Sequence, residues 1–303
     1  MSVQFEKAPH FERTTFILNP RSGTLGGKRS IIRQIDRVWG DASRNYTILV
    51  TTRAGEGTRL ARIEAERGSE LIVAVGGDGT LNEVVKGVLG REACVGLIPA
   101  GSGNGFARHW GISLNPTIAC KGLLHPRIVR CDVGKADDYL FLVTFGCGLD
   151  AVISHRYATS TFRGLFSYFY HGLRAFSSYQ SPVVTVHANG HMEYTGQPLL
   201  LTLANTKGYG GGTVIAPQAK ADDGLLDLCI IDPLSLRTSL YHLRNLFNGR
   251  IERIPGYHHT QIREAKIQRQ ERGPIHVDGE SLMGNREIMM SVLPGAVPFA
   301  LPT

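Results

Sequence analysis

The residues best suited to chemistry lie in one turn, Gly76-Gly77-Asp78-Gly79-Thr80, of a 303-residue chain. Three glycines in five positions leave the backbone nearly bare, free to adopt positive φ and open to close approach by another molecule. The preceding Leu71–Val75 is a short, β-branched apolar run, which reads as a buried strand of a parallel sheet. After the turn, Leu81, Val84, Val85 and Val88 recur at the spacing of an amphipathic helix. A strand that feeds a helix through bare amides presents free N–H groups and a partial positive charge, which suits a phosphate. The turn lacks the Gly-Lys-Ser/Thr ending of a P-loop, and Asn82 stands where a dinucleotide fingerprint needs its third glycine. Asp78 would repel a phosphate unless a metal ion or a hydroxyl lies between them.

Two other stretches must position this turn. Thr14–Leu18 reads as a strand that runs into Asn19-Pro20-Arg21-Ser22-Gly23, ahead of a helix over Ile31–Trp39. Pro20 stiffens the turn, Asn19 and Ser22 can donate to phosphate or ribose, and Arg21 and Lys28 can neutralise charge. Cys94–Ile98 reads as a buried strand ending in the small-residue turn Pro99–Ala107, with Ser102 and Asn104 as its polar members and a helix opening at Phe106. Tyr46–Val50 is a further strand, with a helix over Gly57–Arg67. At its end Thr51 either reaches a ligand at the carboxyl edge of a parallel sheet or starts the helix.

Past Arg130 helical periodicity gives way to short strands. Tyr139–Phe145 is one, followed by Gly146-Cys147-Gly148-Leu149-Asp150-Ala151; no acidic residue follows at the distance a dinucleotide site requires. The aromatic stripe Phe162, Leu165, Phe166, Phe169, Leu173 and Phe176 reads first as core, and with Arg163 and Arg174 as a lipid-facing edge. Asn189-Gly190 signals a hairpin. Asp222-Asp223-Gly224 reads as a turn. Leu234–Phe247 places Leu236, Leu240, Leu243 and Phe247 on one helical face, with Arg237, Arg244, Arg250 and Arg253 nearby as a solvated or a membrane-facing surface. In an extended strand, Asp278 and Glu280 would point to one side.

The net charge of +7 suits nucleotide phosphates or an anionic membrane. No RNA-binding signature or long Lys/Arg run is present, so no nucleic-acid partner is expected. Five scattered cysteines without a CxxC pair read as reduced, buried thiols. Met1–Lys7 has no signal-peptide core, and no apolar run approaches the roughly 20 residues that span a bilayer. A cytoplasmic protein that touches membranes from the side is expected.

Gly76–Asn82 resembles the nucleotide-binding motif of the diacylglycerol kinase / sphingosine kinase family, which includes bacterial lipid kinases; NAD kinases share a similar turn. Asn19–Gly23 resembles the family's NPxSG loop. Pro99–Ala107 resembles its P-x-G-T/S-x-N-D-F-A motif, with Gly105 in place of the usual Asp. Gly146–Ala151 is similar to its GxGxDA segment, and Asp222–Asp227 and Asp278–Glu280 to its DDG and DGE turns.

The resemblance implies an α/β N-terminal domain (parallel sheet, nucleotide-binding) over residues 1–130 and a β-rich, sandwich-like C-terminal lipid-substrate domain over 131–303, its last residues free to pack back on the first. ATP would be held by Asn19, Pro20, Arg21, Ser22, Gly23, Thr51, Gly76, Gly77, Asp78, Gly79, Thr80, Leu81, Asn82, Ser102 and Asn104. Asp278 or Glu280 would be the general base, Asp78 would orient Mg²⁺ or the attacking hydroxyl, and Asp150 would meet the lipid headgroup. A structural ion would be held by Asp223 and the carbonyls of Lys220 and Leu225; oxygen ligands suit Mg²⁺ or Ca²⁺. The implied activity is ATP-dependent phosphorylation of a lipid hydroxyl brought between the domains, on diacylglycerol, a sphingoid base or another lipid alcohol. The alternatives are a NAD kinase-like enzyme and a non-catalytic nucleotide- or lipid-binding regulator; oligomeric state has no signature.

Overall fold

A computed structural model describes residues 10–22, 27–158, 179 and 181–303. Gly23, the Lys28 side chain and the aromatic stripe with Arg163 and Arg174 lie outside these described residues. The chain forms two compact units, Met1–Cys131 with Ala296–Thr303, and Asp132–Gly295.

The first unit alternates strands and helices: β1 (Thr14–Leu18), α1 (Gly27–Asp41), β2 (Tyr46–Val50), α2 (Glu56–Glu66), β3 (Leu71–Gly76), α3 (Asp78–Val88), β4 (Cys94–Pro99), α4 (Gly105–His109) and α5 (Pro116–Gly122). The strands pair in parallel in the order β2-β1-β3-β4. Phe299, near the end of the chain, pairs beside Val95 of β4. β1 and β3 are buried along their whole length because both of their faces are covered. One face carries Phe16, Leu18, Val73 and Val75 against Ile31, Ile35 and Trp39 of α1 and Cys120 of α5. Trp39 meets Phe16 edge-on at 5.2 Å and donates its indole N–H to Cys120 Sγ.

Helices α2 and α3 pack together through small residues. A Cβ on Gly87 would stand 2.5 Å from the Thr58 carbonyl oxygen and 2.6 Å from Ala61 Cβ. The Glu83 carboxylate accepts the Gly55 and Gly57 N–H groups at 2.8 Å each, capping the start of α2 from the neighbouring helix.

The second unit is antiparallel. One sheet runs β12 (Tyr257–Ile262), β11 (Leu226–Ile231), β10 (Leu200–Ala204), β7 (Thr144–Gly146), β14 (Gly273–Val277), β15 (Glu280–Gly284). The other pairs β9 (His191–Gly196) with β8 (Val184–Ala188), β8 with β13 (Glu264–Arg269), and β13 with the first half of β16 (Glu287–Leu301). Alternate residues face inward, so Phe145, Leu201, Leu203, Leu228 and Val277 of the first sheet meet Val186, Ile267, Ile288 and Met290 of the second. Asn189 and Gly190 both take positive φ in the β8–β9 hairpin. The single strand expected over Tyr139–Phe145 is instead two, β6 (Tyr139–Phe141) and β7, parted at Leu142–Val143. β5 (Arg127–Ala136) precedes them, and α6 (Leu149–Ala158) follows.

The segment Leu234–Phe247 also departs from expectation. It is a short helix, α7 (Leu236–His242), followed by a 3-10 turn, and Leu236, Leu240 and Phe247 face solvent rather than the core. Burial pushes the thiols of Cys120, Cys147 and Cys229 up to about 12, which leaves them uncharged and unreactive near neutral pH. No helix among the described residues is long and apolar enough to cross a membrane.

Gly87→Ala pits two effects against each other. Helix propensity favours alanine by about 1 kcal/mol, but the new methyl meets a backbone oxygen that cannot swing away, at a cost of about 1–3 kcal/mol. The clash should win, so the urea midpoint of Gly87→Ala should fall; a rise would show that α2 and α3 separate freely.

Candidate functional site

The polar turns of the first unit gather at the carboxyl ends of its strands. The order β2-β1-β3-β4 reverses its winding between β1 and β3, the position where open α/β sheets bind ligands. Asn19 follows β1 and Gly76 ends β3. The Asn19 N–H donates to the Val75 carbonyl at 3.1 Å, and its side-chain amide donates to Thr80 Oγ1 at 3.2 Å. Ser22 Oγ lies 3.3 Å from the same hydroxyl, and the Arg21 N–H folds back onto Asn19 Oδ1 at 3.0 Å.

The glycines serve close approach, not positive φ: Gly76, Gly77 and Gly79 all avoid the left-handed region. A Cβ on Gly76 would overlap the Thr80 side chain and stand 3.0 Å from Ser22 Oγ. A Cβ on Gly101, in the next turn, would stand 2.5 Å from the Gly77 Cα. Asn104, at φ +51°, holds that second turn by accepting the Gly101 N–H and donating to the Gly101 carbonyl. Asp78 ties the two turns together. Its carboxylate accepts the Gly105 N–H at 3.0 Å and the Phe106 N–H at 3.2 Å. Burial pushes its carboxyl above the ordinary value, against the pull of these amides. Each of its oxygens thus accepts one backbone N–H, and each keeps further acceptor capacity.

Gly77 begins α3 without a side-chain cap, the kind of helix start that suits an anion. Leu81 is fully buried and Asn82 nearly so; Ser102 is exposed at the tip of its turn. Thr51 is buried, and its N–H and hydroxyl both donate to the Leu18 carbonyl. Its neighbour Thr52 makes the helix-start contacts, donating from N–H and hydroxyl to Glu56 at 2.6 and 2.8 Å.

In the second unit the expected strand through Asp278 and Glu280 is a tight hairpin. Asp278 (φ +50°) and Gly279 (φ +83°) form the turn between β14 and β15, and Glu280 pairs opposite Val277. The two carboxylates therefore do not share one strand face. Asp278 accepts the N–H groups of Leu142, Val143 and Thr144, where β6 and β7 part. Glu280 is exposed.

Asp150 lies at the centre of a buried network that the sequence does not disclose. Its Oδ1 accepts the Gly148 and Ala151 N–H groups, and its Oδ2 lies 3.0 Å from the Thr202 and Tyr209 hydroxyls and 3.1 Å from His276 Nε2. Burial alone would raise its carboxyl; the adjacent His276 and the hydrogen bonds outweigh this and hold it below 3.8. Gly146 must be glycine, because a Cβ there would overlap both Asp150 and His276. His276 escaped sequence reasoning because no metal or catalytic spacing marks it. Its only signal is its place two residues before Asp278.

The candidate ion position centres on Asp223, whose Oδ1 accepts the Leu225 N–H at 3.1 Å. Burial raises its carboxyl against that amide's pull, and Asp132 adds repulsion. A negative field of this kind fits a hard cation. Asp132 itself is committed to the Gly224 and Gly295 N–H groups, at 2.7 Å each. No group of three His, Cys, Asp or Glu side chains suited to a metal occurs among the described residues.

Residues 13–136 match the model of the diacylglycerol kinase catalytic domain, and residues 143–301 that of the YegS C-terminal NAD kinase beta sandwich-like domain. A Pseudomonas aeruginosa protein named probable lipid kinase YegS-like is 33% identical over 86% of this chain and 86% of its own length. The diacylglycerol kinase of Bacillus subtilis is 28% identical over 89% of this chain and 90% of its own. A Bacillus anthracis crystal structure, described as a candidate diacylglycerol kinase, superposes with a TM-score of 0.79 at 25% identity, covering 96% of this chain and 97% of that one.

Asp150 is a stronger acid folded than unfolded, so its charge stabilises the fold above its ordinary value of 3.8 and that contribution is lost as pH falls through the lower folded value. Asp150→Asn should cost about 3–5 kcal/mol at neutral pH and flatten the acid side of a urea-midpoint profile. A variant that keeps the wild-type acid dependence would contradict the pairing with His276.

Proposed function

Since this chain belongs to the diacylglycerol kinase family of lipid kinases, phosphotransferases with an alcohol acceptor, we propose that it transfers the γ-phosphoryl group of ATP to the hydroxyl of a lipid, with diacylglycerol as the leading acceptor and a sphingoid base as the second. The observation that carries the reading is the junction of three amide-lined turns at the reversal of the sheet, braced by Asp78, Thr80 and Asn104. Phosphoryl transfer depends on positioning and charge neutralisation more than on covalent chemistry. The uncapped α3 amides hold the phosphates, and Asn19, Ser22, Ser102 and Asn104 border them. Arg21, exposed on the first turn, offers a counter-charge.

Mg²⁺ carried with the nucleotide supplies further charge neutralisation. Asp223 with the Lys220 and Leu225 carbonyls forms a separate, structural cation position. Glu280 is the better candidate than Asp278 for the base that takes the acceptor proton. Its carboxylate is exposed, whereas Asp278 is spent on three backbone amides.

Incubation with labelled ATP and diacylglycerol, sphingosine or NAD in parallel, with products identified by mass, tests this directly. Label should pass to a lipid alcohol. Glu280→Gln should lower kcat by about 10²–10⁴-fold with an unchanged urea midpoint, whereas Asp278→Asn should lower stability as well. Label on NAD and on no lipid would overturn the proposal.

A further inference from the structure

The segment that turns its apolar stripe outward is a built surface. Leu236, Leu240, Tyr241 and Phe247 are 39%, 49%, 67% and 53% exposed, and no residue of α7 is buried. Arg237, Arg244, Arg250 and Arg253 are exposed around them. From Pro233 to Gly256 these four arginines face a single acidic residue, Glu252. The Arg244 guanidinium lies 5.7 Å from the Tyr241 ring centre. The underside is firmly seated: Leu234, Leu246, Ile251 and Ile254 join the core on the outer face of β10 and β11, and the Val214 N–H donates to the Leu246 carbonyl at 2.6 Å. The exposed side chains therefore stand on a fixed platform.

Resting on the lipid-kinase reading, we propose that α7 and the turn after it, from Leu236 to Arg253, dock this unit onto an anionic lipid bilayer. Four large apolar groups ringed by arginines match the boundary between headgroups and acyl chains: the apolar tips enter it and the guanidinium groups meet lipid phosphates. A second copy of the chain is the poorer occupant. A symmetric contact through this face would set arginines against arginines. The platform is one hydrogen bond from the loop that carries Tyr209, whose hydroxyl reaches Asp150. Docking through this face would thus place the bilayer beside the network expected to meet the lipid.

The test is co-sedimentation of the full chain with phosphatidylcholine vesicles and with equimolar phosphatidylcholine–phosphatidylglycerol vesicles. Kinase activity on detergent-dispersed diacylglycerol and sedimentation velocity are read alongside. Wild type should bind the anionic vesicles more tightly, and less so as salt rises. Leu240→Glu with Phe247→Glu should weaken that binding by about tenfold or more, and Arg244→Glu with Arg250→Glu should lose the anionic preference by a similar factor. Activity on dispersed lipid should stay at the wild-type level in both. Equal binding by wild type and the apolar variant would overturn the docking proposal, as would a wild-type dimer that Leu240→Glu with Phe247→Glu dissociates. Vesicle binding with no lipid phosphorylated by any of the proteins would instead overturn the kinase reading and leave the docking surface standing.

Discussion

A main chain can grip a phosphate with its own amides only where side chains are kept away from it, and this constraint governs the first unit. Gly77 and Gly101 lie so close that neither could carry a Cβ at ease, and Gly76 gives its space to Thr80. Thr80 in turn is the hub to which Asn19 and Ser22 are bonded. Hydrogen bonds tie the three turns to one another, through Thr80 on one side and Asp78 on the other. Pre-organisation of this kind means that little ordering remains when a nucleotide arrives.

One device recurs through both units. Asp78, Glu83, Asp132, Asp150 and Asp278 each spend a carboxylate on backbone N–H groups of a loop. Glycine supplies at least one of those N–H groups for all but Asp278. A hydrogen bond to a charged group is worth about 1.5–3 kcal/mol, roughly twice a neutral one, and it fixes a loop that has no sheet or helix partner. Asp78 and Asp278, whose types and places in the sequence suggest chemistry, therefore also clip loops in place. Glu280, which has no such duty, becomes more conspicuous for that reason.

Much of this was legible in the sequence. The strand–turn–helix over Leu71–Val88 announced itself through the change from a continuous apolar run to helical spacing, and the family motifs at Asn19, Gly76 and Pro99 came in the same order as the strands that carry them. The Asn189-Gly190 hairpin was readable from its turn chemistry. The Asp-Gly pair at Asp278-Gly279 carries a turn signal of the same class, but there it competes with the role suggested by two acidic residues two positions apart. Helical periodicity found the stripe at Leu236–Phe247 but cannot say which way it faces; that is decided by Leu246, Ile251 and Ile254, which reach the core from the other side. The partners of Asp78 and Asp278 lie 27 to 136 residues away, beyond any local pattern. His276 is visible only once β14 is laid beside β7.

On the proposed reading, the uncapped amides at the start of α3 hold the phosphates of ATP. Amide nitrogen–proton spectra recorded while Mg²⁺-ATP is added address it most directly. Large downfield shifts at Gly79 and Thr80 are expected, with slower hydrogen exchange there. ATP binding that leaves these amides unmoved and shifts resonances elsewhere would contradict it.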